Sequence, residues 1–288
     1  MVHALFHQAL VRGYDAFKLQ FPNEGRRMWH LRVLNDFWKT YTPGPSIPSN
    51  DVAMDDGEPP FISDIDPMDQ VLEDEELGLV IRTDFTNDEA WNQFRRRLEE
   101  SQKDLLQDLR GEQQEEPEKN TPGNSQSSQP LLAEGDQESD SSDEFPDFIK
   151  VIDPQSEEDR AKVKDISNIR ALRLFNDVDI RICPPAPKET TKVPPNPLIG
   201  LHGLQEFYSG KNLWIYDSKS NADECVRVVS QTGDVYGTAS GDSWRARGSH
   251  ICELQFGMVY QGLRIDFNGL DRWDYEERVR NISECMTI

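Results

Sequence analysis

The 288-residue chain is 36% hydrophobic and 29% charged, with a net charge of −22, as expected of one or two folded units diluted by solvated segments. Its acidity is concentrated in the middle: residues 46–160 carry 33 Asp/Glu against 9 Lys/Arg, residues 1–45 carry 3 against 6, and residues 161–288 carry 17 against 16. Such a middle repels phosphate backbones and anionic headgroups, which argues against nucleic acid and membrane as partners, and no apolar run nears the roughly 20 residues that span a bilayer.

Residues 2–20 place Leu5, Phe6, Ala9, Leu10, Tyr14 and Phe17 at helical spacing, and Phe21-Pro22-Asn23 breaks that helix. A second helix puts Met28, Leu31, Leu34, Phe37, Trp38 and Tyr41 on one face before Pro43-Gly44-Pro45 ends it. Residues 1–45 therefore predict a helical hairpin with an aromatic face too large for it to bury alone. That face packs on the main domain or serves a protein partner. Residues 46–76 read as an acidic linker with one docked turn at Phe61-Ile62.

The main domain is predicted to open at Leu77–Phe85, a short buried strand. Thr86 and Glu89 predict a capping box, and Trp91, Phe94, Leu98, Leu105 and Leu109 form the stripe of the helix that follows. Arg95-Arg96-Arg97 lie off that stripe and read as a solvated face. Gly111 stops the helix. Residues 111–144 are rich in Glu, Gln, Ser, Pro and Gly and predict a disordered acidic insert. Ser139, Ser141 and Ser142 precede acids there, the pattern an acidophilic kinase accepts.

Residues 145–183 continue the domain with a strand at Phe145–Ile152, one helix over 156–175 and a half-exposed strand at Val178–Ile182. Residues 184–197 hold six prolines and predict a surface loop. In residues 198–288, Asn212–Asp217 and Cys225–Val229 read as strands, and a Gly-rich stretch (233–248) follows. Ile251–Phe256 and Leu263–Phe267 also read as strands, and Asp271 as the cap of a last helix holding Trp273, Tyr275 and Val279. The fold class expected is α/β or α+β: a single mixed-sheet domain flanked by helices, with an N-terminal helical hairpin and long disordered inserts.

Arg82-Thr83-Asp84-Phe85 followed by Asn87-Asp88-Glu89-Ala90-Trp91 resembles the opening of an uncharacterised domain family of bacterial and fungal genomes. Its members begin with a V-x-R-T-D-F strand and an acid-rich A-W helix start. Phe148–Asp153, Leu213–Asp217, Arg227-Val228-Val229 and Ile265-Asp266-Phe267 follow in the family's order of elements. The close match covers about 15 residues. The resemblance implies a grouping by fold and carries no activity, cofactor or site.

The four cysteines Cys183, Cys225, Cys252 and Cys285 lack metal-site spacing and read as free thiols in a reducing compartment. The N-terminus lacks the features of a secretory signal, so an intracellular, cytoplasmic or nuclear protein is expected. Cys252 falls on the apolar side of ICELQF and reads as a buried, inert thiol. His3 and His7 have i, i+4 spacing but no third ligand nearby, so neither metal nor cofactor is expected. Gly241-Asp242-Ser243 has the letters of a hydrolase motif in the wrong place, a late Gly-rich loop. His202, His250, Cys252, Asp242 and Asp266 form a site only if the fold gathers them.

Arg82 and Asp84 lie two apart and share a strand face. They either fix the strand-to-helix turn or line a ligand crevice at the sheet's carboxyl edge. The function expected is a non-catalytic interaction or regulatory protein with a phosphorylatable acidic insert. The alternative is a small-molecule binder or enzyme with a pocket near Arg82, Asp84, Trp214 and Asp266.

Overall fold

The computed structural model describes residues 4–42, 64–72, 77–110, 148–188, 194–267 and 274–287. They form one α+β domain built on a five-stranded mixed sheet, with a separate two-stranded ribbon. The insert bearing Ser139, Ser141 and Ser142, the turn at Phe61-Ile62, and His3, Asp271 and Trp273 lie outside the described residues.

The hairpin pairs α1 (Ala4–Gln20) with α2 (Arg26–Thr40). Its aromatic face is buried in the chain's own core: Phe6, Tyr14, Trp29, Phe37 and Trp38 join Leu172, Phe175, Val178, Ile180 and Leu204 in one cluster. The Trp38 indole N–H, desolvated there, donates to buried Glu206 at 2.8 Å. Packing on the main domain thus buries these five rings, while Leu5, Ala9, Phe17, Met28 and Tyr41 stay partly exposed. The docked part of the linker begins at Asp64, whose carboxylate accepts from Tyr14 and Lys18, and continues into α3 (Asp69–Leu72). Asp66 comes so close to Gly25 that a Cβ there would sit 2.4 Å from its carboxylate, so this position requires glycine.

The main sheet contains β1 (Gly78–Arg82), β2 (Ile149–Ile152), β5 (Asn212–Tyr216), β6 (Cys225–Val229) and β7 (Ser243–Arg247) in the order β2-β1-β5-β6-β7. β1 runs parallel to both β2 and β5, and β5, β6 and β7 are antiparallel in turn. Such a central strand is covered on both faces, which explains the unbroken apolar run Leu79-Val80-Ile81. Val80, Trp214 and Tyr216 point toward α4 (Asp88–Arg110) and α8 (Ile251–Tyr260). Leu79, Ile81, Leu213 and Ile215 point toward α6 (Asn168–Phe175), the hairpin and the ribbon. That ribbon is β3 (Asp177–Ile182) paired with β4 (Leu204–Ser209).

Five expectations need correction. Asn87, not Thr86, caps α4: its Oδ1 accepts from Ala90 N at 3.0 Å, while the Thr86 hydroxyl turns back to Asp84. The helix over 156–175 is two, α5 (Glu157–Val163) and α6, each with its own serine cap, Ser156 and Ser167. Asp165 breaks them with φ of 49°. Ile251–Phe256 is helix α8, not a strand. Its buried Ile251, Cys252 and Gln255 recur at i, i+1, i+4, and the six-residue alternation that suggested a strand covers too little of a ten-residue helix. Leu263–Phe267 lies outside the sheets. The Gly-rich stretch contains β7, and β4 was not foreseen, because buried Gln205 and Glu206 interrupt its apolar pattern. A short α7 (Ser220–Asp223) follows β5, and α9 (Tyr275–Glu284) starts after Asp274. Among the described residues, no helix is long and apolar enough to cross a membrane.

Candidate functional site

In an open sheet, the carboxyl ends of parallel strands on either side of a reversal in strand order form a natural crevice. Here that place is the edge where β1 and β5 end, with β2 beyond β1. Two sets of charged side chains occupy it, one on each face of the sheet.

On the α4 face lies Arg82, 3% exposed. Its Nε donates to Asp84 O at 3.0 Å, one terminal nitrogen meets Asp153 Oδ1 at 3.4 Å, and the other bonds Asp88. Its guanidinium lies 5.2 Å from the Trp91 ring and 5.0 Å from the Phe85 ring, and the Trp91 Nε1 donates to Asp153. Asp84 Oδ2 accepts from Thr86 and from Asn221 Nδ2 at 2.7 Å. Partial burial pushes this carboxyl up, but those hydrogen bonds outweigh it and hold the group below the usual carboxylate range. Thr83 N and Oγ1 both donate to Tyr216 O, which ties β1 to β5. Arg82 and Asp84 therefore build the strand-to-helix turn.

Trp214 lies in the same face, fully buried, with Nε1 on Gln255 Oε1 at 2.9 Å. Gln255 in turn reaches Leu77 O and crowds Gly78, where a Cβ would stand 2.7 Å from its amide. Asp266 is exposed and lines a separate hollow of about 270 Å³ with Asp234, Val235 and Arg264. Arg82, Asp84 and Trp214 do not line that hollow, so the structure does not bring the four residues into one pocket.

On the opposite face the edge is open. A cavity of about 230 Å³ lies between the end of β5, strands β6 and β7, and the start of α9. Arg227 meets Asp217 Oδ2 at 3.2 Å and Glu277 Oε2 at 2.9 Å. Arg245 clamps Asp217 with two nitrogens, at 2.8 and 3.1 Å. Burial pushes Asp217 up, but Arg245 and Arg227 prevail and hold it below its ordinary value. Asp274 is 3% exposed and lines the same cavity. Burial raises its carboxyl, against the pull of Arg227 and Arg245. The Ser243 hydroxyl faces the same carboxylate and also pulls it down. The cavity is tied to the end of β1 through Asp165, whose N–H donates to Thr83 O at 3.0 Å.

The other candidate groups stay apart. His202 lies beside Tyr41 of the hairpin, and His250 precedes α8 near Glu253. Cys252 is buried against Leu98 O. Burial raises the thiols of Cys183, Cys225 and Cys285, and a raised thiol is a poor nucleophile at neutral pH. Asp242 shapes a turn by accepting from Ala239 N, and Ser243 opens β7 as a buried residue. Asn281, of the sequon Asn281-Ile282-Ser283, is buried and bonds Ile169 N and Gly241 O. Among the described residues, no group of three or more His, Cys, Asp and Glu is placed to hold a metal ion.

Reasoning from sequence passed over Asp217, Arg227, Arg245, Asp274 and Glu277. The visible signal was Arg227, a charge inside the apolar run Cys225–Val229, which a buried strand tolerates only with partners. Those partners come from elements up to 50 residues away, which no local pattern announces. Compared with family models, with curated proteins and with solved structures, the chain matches none.

Proposed function

We propose that this chain is a non-catalytic regulatory protein that binds a small ligand, or one side chain of a partner, at the carboxyl edge of its sheet. The observation that carries this reading is the cavity of about 230 Å³ lined by Asp217, Arg227, Arg245, Asp274 and Glu277, where rigid ion pairs converge on one concave edge. Groups clamped as Asp217, Arg227 and Arg245 are preorganised for recognition, and their tight pairing opposes the proton transfers a general acid or base must make.

Three further parts belong to the same proposal. The protein is intracellular, a reading supported by four free cysteines. The Ser139, Ser141 and Ser142 segment is a phosphorylation target that tunes binding, as its acid-following serines suggest. The grouping with the V-x-R-T-D-F family is supported by the fold-building partners of Arg82, Thr83, Asp84 and Trp91.

The test is a thermal-shift screen of the full chain with small cations, anions and zwitterions. A ligand that raises the melting temperature, loses that effect when Ser218→Trp fills the cavity mouth, and is recovered unchanged by mass spectrometry is the expected result. Recovery of a converted product would replace the reading with an enzyme. Equal stabilisation of the Ser218→Trp variant would move binding elsewhere.

A further inference from the structure

The hairpin is held to the rest of the domain by more than its apolar face. Glu206, in the middle of β4, is fully buried, and its carboxylate accepts from three side chains. Trp38 Nε1 of α2 reaches Oε1 at 2.8 Å. Tyr208 Oη reaches Oε2 at 2.8 Å, and Arg173 Nη2 of α6 meets the same oxygen at 3.4 Å. Arg173, itself buried, also donates through Nε to Tyr208 Oη at 3.2 Å, through Nη1 to Thr287 O at 2.6 Å and through Nη2 to Cys285 O at 2.5 Å. One carboxylate and one guanidinium thus join the hairpin, the ribbon, α6 and the turn that ends α9. Trp38, Arg173 and Cys285 also line one narrow gap with Leu31 and Leu34.

Apolar side chains of the same volume often pack as stably as a buried ion pair. What the pair adds is geometry, because taking away any one donor leaves a buried charge short of a partner. The network is also tied to a larger body. The start of α6 holds α9 at three points: Ser167 Oγ donates to Glu284 Oε2 at 2.5 Å, Asn168 N to Glu277 Oε1 at 2.7 Å and Ile169 N to Asn281 Oδ1 at 3.1 Å. α6 and α9 are therefore one packed unit, and Arg173 gives that unit a polar link to the hairpin. The other end of α9 follows Asp274 and carries Glu277, which pairs with Arg227, and both acids line the cavity.

Resting on the binding reading above for its last step, we infer that the Trp38–Glu206–Arg173 network is a regulatory latch. Docking of the hairpin fixes α6 and α9, and through Asp274 and Glu277 it sets the affinity of the cavity for its ligand. Withdrawal of α2 takes the indole N–H from Glu206, opens the Glu206–Arg173 pair to water and slackens the hold of Arg173 on the carbonyls that close α9.

The experiment follows amide hydrogen exchange by NMR across the full chain. Trp38→Phe removes the indole N–H and keeps an aromatic ring. In that variant the amides of residues 281–285 are expected to exchange at least tenfold faster than in wild type, and those of residues 92–105 in α4 at an unchanged rate. Should the variant fail to fold, the wild-type chain decides. Exchange over a series of urea concentrations below the unfolding transition is expected to give residues 30–40 and 281–285 one common opening free energy. Ligands that pass the thermal-shift screen are expected to bind Trp38→Phe at least threefold more weakly than wild type.

Unchanged exchange of residues 281–285 in Trp38→Phe, or an end of α9 that opens in wild type at lower urea than α2, overturns the latch and leaves the binding reading intact. Faster exchange with unchanged ligand affinity confines the network to the fold and overturns its control of the cavity. A screen that yields no ligand removes the binding reading, and with it that control, while the exchange data still decide whether hairpin and α9 are coupled.

Discussion

Arg82 and Arg227 are buried guanidiniums at the same edge of the same sheet, one on each face, and their surroundings differ. Arg82 is closed in: its nitrogens meet Asp84 O, Asp88 and Asp153, and Trp91 and Phe85 cover it. Arg227 opens on a cavity and is held there between Asp217 and Glu277. The acids record the difference. Asp84 and Asp88 beside Arg82 are held below the ordinary carboxylate range, whereas Asp274 and neighbouring Asp242 are pushed above it by burial. One face is a completed clamp that fixes the fold. The other is a set of ion pairs left open on one side. The presence of a buried arginine at a strand end does not distinguish the two, but the enclosure around it does.

The contrast is tested most severely at Arg82. Arg82→Ala leaves Asp153 largely buried and short of its cation, and is expected to cost about 4 kcal/mol, the range for breaking a buried pair from one side. Urea denaturation at pH 7 measures it, and a loss below about 1 kcal/mol would remove Arg82 as the clamp of the turn.

A second test reads opposite signs from the two faces. The Asp242 carboxyl is raised from 3.8 to about 6, first by burial and then by Asp274, against Arg278 and the Ala239 amide. Between those pH values the folded chain binds more protons than the unfolded chain, so this group's contribution falls as pH rises from about 4 to about 6. Asp84 acts the other way, since its folded value is depressed. Its contribution is present above the unfolded value and lost as pH falls through the folded one. Asp242→Asn retains an acceptor for Ala239 N–H and is expected to stabilise the protein at pH 7 by about 2 kcal/mol, given ~1.4 kcal/mol per pKa unit. It should also flatten the stability profile between pH 4 and 6. A variant less stable than wild type at pH 7 would mean that the Arg278 contact, 3.5 Å away, outweighs the burial.

Arg227→Met sharpens the comparison from the open side. Asp217 would retain Arg245, and Glu277 would retain Asn168 N, so the expected cost is about 1.5 kcal/mol, well under that of Arg82→Ala. Equal costs in the two variants would erase the distinction between the faces.

How far the sequence foretells this difference follows from where each partner lies. The clamp was largely legible: Arg82, Asp84, Asp88 and Trp91 fall within ten residues, and both the apolar strand and the helix stripe are strong local signals. The hairpin, β1, β2, β3, β5 and β6 were legible for the same reason. The cavity was not, because Asp217, Arg227, Arg245, Asp274 and Glu277 come from four elements that only the antiparallel pairing of β5, β6 and β7 and the return of α9 bring together. β4 was obscured by Gln205 and Glu206, whose distant partners are Thr238 O for Gln205 Nε2 and Trp38 and Arg173 for the Glu206 carboxylate. Local reading fails where a polar side chain's reason for burial lies elsewhere in the chain.

The smallest test concerns how the closed face begins. Thr86 followed by Glu89 has the letters of a capping box, yet Asn87 Oδ1 takes the Ala90 amide at 3.0 Å, and Asn87 O starts the helix by accepting from Trp91 N at 3.2 Å. Thr86 instead bonds Asp84 from an exposed position. The register matters, because a helix starting one residue earlier would rotate Trp91 by about 100° and carry its indole away from Asp153 and the Arg82 guanidinium. Asn87→Ala is therefore expected to cost about 1 kcal/mol, the usual value of a lost side-chain cap, and Thr86→Ala about half as much or less, since its hydroxyl bond is solvent-exposed. Denaturant midpoints of the two variants decide it. If Thr86→Ala proves the costlier, the turn is held by the Asp84–Thr86 contact, and the clamp around Arg82 extends one residue further into the loop than the cap at Asn87 implies.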